Sequence, residues 1–111
     1  MMGREAHRMK LIEQLSEKIS EEINDAKCYA QMALENREAH PALSDLLYTL
    51  STEEMGHMTR LHTAVADIIE QYRKEKGEPP AAMLAVYEYL HKKQIEKAAE
   101  AKAMQELFKA S

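Results

Sequence analysis

A Glu-x-x-His pair in the middle of the chain is the part of the sequence best suited to chemistry. Glu54 and His57 are three residues apart, and residues at this spacing project from one side of a helix. A carboxylate and an imidazole held in this way can share a metal ion. The chain has 16 Glu and five His, so such a string arises easily, and a second one runs from Glu88 to His91. The surroundings of each pair must therefore decide which one is a candidate site.

Two apolar stripes at helical spacing are interrupted by two Glu and one His. Glu22 stands in the first stripe, and Glu54 and His57 stand in the second, at positions where the pattern favours Leu. A buried carboxylate without a partner is costly, so something must satisfy these groups. The first stripe comprises Leu15, Ile19, Glu22, Ala26, Tyr29 and Ala33, and the second comprises Leu43, Leu47, Leu50, Glu54, His57, Leu61, Ala64 or Val65, Ile68 and Tyr72.

Two breaks divide the chain into three long helices. Pro41 suits the first turn of a helix, and Gly77, followed by Pro79 and Pro80, ends one helix before the next begins. The composition has few turn formers and no Trp, which favours an all-α protein. Helices of this size are roughly 45 to 50 Å long, which favours an assembly over a compact monomer. We predict one domain with helices over about residues 4–38, 41–76 and 80–109.

The short break before Pro41 predicts that the first two helices are antiparallel neighbours. Glu22 lies 18 residues before His40, and Glu54 and His57 lie 14 and 17 residues after it, so the three reach about the same height. Two Glu and one His suit iron or manganese, whereas zinc without thiolates more often recruits several His. They are half of the donor set of a di-metal bundle. We therefore predict a helical hairpin plus a third helix, with a four-helix di-metal bundle completed by dimerisation.

Glu22 followed by Tyr29, and then Glu54 and His57 on the next helix, resemble the ferritin-like superfamily, especially rubrerythrins and encapsulated ferritins. The resemblance covers about the first 75 residues. It implies that Glu22 and Glu54 are carboxylate ligands of a di-iron centre and that His57 is its imidazole ligand. It further implies that Tyr29 hydrogen-bonds near the metal. Glu21 matches a position that helps metal enter encapsulated ferritins.

The resemblance implies a ferroxidase that stores or detoxifies iron as a homodimer or higher oligomer. Dioxygen or peroxide would be its oxidant, with manganese or zinc as substitute metals. Rubrerythrin-like peroxide scavenging is one alternative, and a helical interaction protein whose metal only stabilises the dimer is another. A polar layer that fixes helix register without metal is a third. The last residues, Leu107 to Ser111, do not resemble the Gly- and Leu-containing peptide that docks encapsulated ferritins in their shell, so an encapsulin shell is not expected.

Other acidic and histidine residues are secondary candidates for metal binding. Glu53 adjoins Glu54 but points about 100° away on the helix, toward solvent or a channel. The third helix should bring Glu96 or Glu100 to the level of the site before His91. The secondary candidates are Glu21, Glu53, His62, Glu88 and His91.

Composition and charge exclude several classes of function. A net charge of −4 and a pI near 5.7 argue against nucleic-acid binding, which depends on clustered Lys and Arg. The single cysteine, Cys28, forms no internal disulfide and cannot hold the iron of a rubredoxin-like domain. The first residues lack the apolar segment of a signal peptide, and no run of 18 apolar residues occurs. We therefore expect a cytoplasmic protein with no membrane span.

Overall fold

The computed structural model describes residues 3–110, and this part of the chain contains three helices and no strand. They are α1 (Arg4–Glu35), α2 (Pro41–Lys76) and α3 (Ala81–Ala110). The expected all-α class is confirmed. The helices form an elongated bundle of 56 × 22 × 19 Å. None of the described helices combines the length and apolar character needed to cross a lipid bilayer.

The ends of the helices follow from local chemistry. The first helix ends at Glu35, three residues before the predicted boundary, because Asn36 folds back and donates its Nδ2 hydrogen to the carbonyl of Met32 at 2.8 Å. Pro41 begins α2, where its missing N–H is not needed. Gly77 follows the last residue of α2 with φ of 86°, a conformation that glycine adopts without steric cost.

Small residues hold α1 and α2 together as an antiparallel pair. Ala26 and Ala33 are fully buried in α1, and each offers a backbone carbonyl to a buried serine of α2. The Ser44 hydroxyl donates to the carbonyl of Ala33 at 2.5 Å, and the Ser51 hydroxyl donates to that of Ala26 at 2.6 Å. These two hydrogen bonds require close approach of the helices and fix their register.

The third helix lies along the groove between the other two, parallel to α1. Gln94 donates to the carbonyl of Ser16 at 3.2 Å, and further along α3 Glu100 accepts from Lys27 at 2.9 Å. Gln105 reaches α2, where its side chain donates to the Ser51 hydroxyl at 2.8 Å. The core contains mainly aliphatic side chains: Ile12, Ile19, Ile23, Val65, Ile69, Tyr72, Met83 and Ala98.

The two apolar stripes of the hairpin do not form a single buried seam. Ile19, Ala26 and Leu47 are buried, whereas Leu43 is 44% exposed and Leu46, beside the stripe, is 54% exposed. The reason is that α3 packs on only one side of the hairpin. We call that side the covered face, defined by Ser16, Lys27, Tyr48, Ser51 and His62. The other side is the open face, defined by Leu15, Leu43, Leu46, Leu50 and Leu61.

Candidate metal centre

The hydrogen bond between Ser51 and Ala26 sets the level of the candidate site. Glu22 lies four residues before Ala26 in α1, and Glu54 lies three residues after Ser51 in α2. Because the helices are antiparallel, each step is about one turn in the same direction, and the two carboxylates arrive side by side. His57 follows Glu54 by one further turn on the same side of α2.

The three side chains converge with their ligand atoms close together. The Nδ1 atom of His57 lies 3.4 Å from Oε2 of Glu22 and 3.8 Å from Oε2 of Glu54. One ligand atom from each residue falls within 4.8 Å of the others. Two atoms bound to one ion at about 2.2 Å can be at most roughly 4.4 Å apart, so the spacing approaches that of a shared ion.

Burial leaves one carboxylate oxygen without a hydrogen bond. The side chain of Glu22 is 23% exposed and that of Glu54 is 19% exposed, whereas His57 is 51% exposed. Oε2 of Glu22 is inaccessible to solvent and accepts no hydrogen bond, and the His57 ring beside it is charged only when protonated. A buried carboxylate oxygen without a partner is costly, and a bound cation would remove this cost. The donor set therefore fits a metal ion.

The candidate centre lies on the open face of the hairpin. Leu50 and Leu61 lie seven residues before and four residues after His57, so all three project from one side of α2. The residues of α2 that contact α3 lie on another side, since His62 is five residues, or about 140°, from His57. Within the described chain, α3 contributes no residue to the Glu22, Glu54 and His57 group. The imidazole side of the centre is accordingly open to solvent.

The other predicted site residues are distributed around the bundle. Tyr29 is half-buried two turns after Glu22, on the same side of α1. Glu21 is exposed and pairs with Lys18 at 3.2 Å. Glu53 and Glu88 are exposed, and neither belongs to the described Glu and His group. The structure thus brings together Glu22, Glu54 and His57 and leaves these four outside the cluster.

The remaining two candidates meet each other on the covered face. The rings of His62 and His91 have their centroids 4.5 Å apart, and the ring of Tyr87 lies beside both. Burial, and then the neighbouring His91, lower the pKa of His62 below its usual 6.5. The sequence interpretation paired His91 with Glu88 and missed this contact. The sequence does indicate this contact, because His62 precedes Gly77 by 15 residues and His91 follows it by 14, which places both at one level of two antiparallel helices.

Comparison with protein-family models, with curated proteins and with solved structures finds no match for this chain. A proposed function therefore depends on the chemistry of the cluster and on the resemblance of its residues to those of ferritin-like proteins.

Proposed function

We propose that this chain is a ferritin-like di-iron carboxylate protein that binds and oxidises Fe(II) at a centre shared by two copies. The observation that carries the proposal is the convergence of Glu22, Glu54 and His57 on an apolar face that α3 leaves open, with a buried Glu22 oxygen that accepts no hydrogen bond. The di-iron identity comes from the resemblance in sequence and from the preference of carboxylate and imidazole donors for iron or manganese.

The three side chains have distinct roles in this proposal. Fe(II) is the substrate, and it would lose one electron to dioxygen while held between the carboxylates. Glu22 and Glu54 supply negative charge, which stabilises the higher charge of Fe(III) over that of Fe(II). His57 supplies a neutral nitrogen, and its exposure leaves room on that side for the oxidant.

A second copy supplies what one hairpin lacks. A ferritin-like di-metal site uses four carboxylates and two histidines, and one chain offers two carboxylates and one histidine. A dyad through the open face would bring two such sets together. The same contact would bury Leu43 and Leu46, which are exposed in a single chain.

Anaerobic titration with Fe(II), followed by exposure to oxygen, tests the proposal. We expect saturation near two irons per two chains, then ferric absorbance in the near ultraviolet after oxygen is added. Glu54→Gln should abolish the oxidation because it removes the charge while keeping the size of the side chain. The matched control is Glu53→Gln, which changes the exposed neighbouring carboxylate and should leave oxidation unchanged.

Each contrary result favours a defined alternative. Saturable binding without oxidation would indicate a metal that only joins two subunits. Oxidation that is much faster with hydrogen peroxide than with dioxygen would favour a peroxide scavenger. Absence of Fe(II) binding would leave Glu22, Glu54 and His57 as a polar layer that fixes the register of the helices.

A further inference from the structure

A cleft between α2 and α3 carries a second set of metal-binding side chains. The cleft has a volume of about 350 Å³ and lies on the covered face. His62 and Met58 line it from α2, four residues apart and therefore on one side of that helix, and His91 lines it from α3. None of the described residues that line the cleft is acidic; they are Met58, Thr59, His62, His91, Gln94, Ile95, Ala98, Ala99 and Lys102.

One nitrogen of His62 has no hydrogen-bonding partner. Nε2 of His62 is inaccessible to solvent and forms no hydrogen bond. A buried imidazole nitrogen normally finds a donor or an acceptor, so an unpaired one requires an explanation. The centroids of the two imidazole rings lie 4.5 Å apart and the ring planes are tilted by 43°, so side-chain rotation that turns one nitrogen of each ring toward the cleft would let both bind the same ion.

We propose that His62 and His91, with Met58, form a copper(I) site that joins α3 to the hairpin. Imidazole and thioether donors without a carboxylate select a soft ion, and copper(I) is the soft ion for which proteins use this set. The charge of Lys102 on the lining disfavours a divalent cation more strongly than a monovalent one.

A bound ion would stabilise the packing of α3 against the hairpin. His62 belongs to α2 and His91 to α3, so an ion bound to both links two helices that are far apart in sequence. An ion that binds only the folded chain at 100 times its Kd lowers the unfolding equilibrium constant roughly 100-fold. This site does not depend on the iron centre, since it uses other residues on another side of α2.

Competition between the metal-free full chain and a chromophoric copper(I) chelator, under anaerobic conditions, tests the proposal. We expect each chain to remove one copper(I) from the chelator. His91→Ala should weaken this binding by roughly 100-fold or more, since loss of a ligand exceeds the usual effect of losing a residue that supports one. Met58→Leu keeps the volume and should weaken it by a smaller factor. The control is His7→Ala, at an exposed histidine of α1, which should bind copper(I) as the wild type does.

Three outcomes would overturn the assignment: no uptake of copper(I), uptake unchanged in His91→Ala, or tighter binding of zinc(II) than of copper(I) at a site that His91→Ala abolishes. Far-ultraviolet circular dichroism checks that each variant is helical. If His91→Ala does not fold, X-ray absorption of the copper-loaded wild type decides the matter. Imidazole scattering together with a sulfur neighbour supports the site, and their absence refutes it. The Fe(II) assays of the iron centre are independent, so failure of one site leaves the other intact.

Discussion

Two histidines of α2, His57 and His62, lie five residues apart and face opposite sides of the hairpin. His57 stands among carboxylates on the open face, whereas His62 stands beside His91 under α3. The same side chain therefore stands beside two carboxylates in one place, and beside a second imidazole in a cleft that Met58 also lines in the other. The difference arises from the side of the helix on which each is carried. In the two proposals it separates a centre shared by two copies from a site that one chain completes.

The largest expected effect comes from a charge on the open face. Leu46→Glu should prevent the proposed dimer, because the new carboxylate would be buried without a partner at the contact. Since each chain would hold only half of the proposed donor set, Fe(II) oxidation should be lost with the dimer. Sedimentation equilibrium and the oxygen-dependent ferric absorbance measure the two effects.

The matched control for Leu46→Glu is Tyr89→Glu, which places the same charge on an exposed apolar residue of α3. It should keep both the dimer and the oxidation. A Leu46→Glu protein that stays dimeric and active would remove the open face as the interface. It would also show that the open face and the covered face do not differ in the way proposed.

Part of this arrangement was predictable by counting along the chain. Pro41 and Gly77 mark the helix boundaries because their backbone chemistry is local. The common height of Glu22, Glu54 and His57 follows from their distances to the first break, since an antiparallel pair has little freedom along its axis. The structure brings their ligand atoms within 4.8 Å of one another.

The side on which α3 packs was not predictable from periodicity. Leu43, Leu46 and Leu50 of α2 are as apolar as Ile12, Ile19 and Ile23 of α1, so hydrophobicity alone does not predict which of these positions lie under α3. The choice depends on polar contacts that a pattern does not reveal. Buried Ser51, for example, resembles a surface residue in sequence, yet its hydroxyl contacts both α1 and α3.

The core under the covered face should be the most sensitive to truncation. Ile23 is 2% exposed, and Ile23→Ala removes its methyl groups and leaves a cavity, at a cost of about 3 kcal/mol in the free energy of unfolding. The control, Leu46→Ala on the open face, should cost no more than about 0.5 kcal/mol in the monomer. Urea denaturation below the concentration of dimerisation measures both. Equal losses would show that the two faces are equally buried in solution.

A smaller effect is expected at the hydroxyl that connects all three helices. Ser51→Ala removes the hydrogen bond to the carbonyl of Ala26 and leaves the partly buried amide of Gln105 without its acceptor. The expected loss is about 1 to 2 kcal/mol in the free energy of unfolding. Urea denaturation measures it, and Ser20→Ala, at an exposed serine of α1, is the control. A loss no greater than that of Ser20→Ala would show that α3 does not depend on this contact.

The smallest effect, and one that depends on pH, is expected at the ion pair between α1 and α3. The hydrogen bond and the charge of Lys27 hold the pKa of Glu100 below its usual 4.5. A carboxyl whose pKa is lower in the folded state stabilises the fold above its ordinary pKa, and this stabilisation is lost as the pH falls through the lowered value. Glu100→Gln should therefore lower the Tm slightly at pH 7 and leave it unchanged at pH 2.

Salt and a matched variant distinguish this ion pair from other effects of the substitution. Both groups are partly exposed, so 1 M NaCl should remove most of the difference in Tm at pH 7. Glu106→Gln changes another exposed carboxylate of α3 and should show no such dependence on pH or salt. If Glu100→Gln and Glu106→Gln behave alike, the charge of Glu100 does not hold α3 against α1. The attachment of α3 would then depend on the hydrogen bonds of Gln94 and Gln105 and on the apolar core beneath them, neither of which responds to pH in this range.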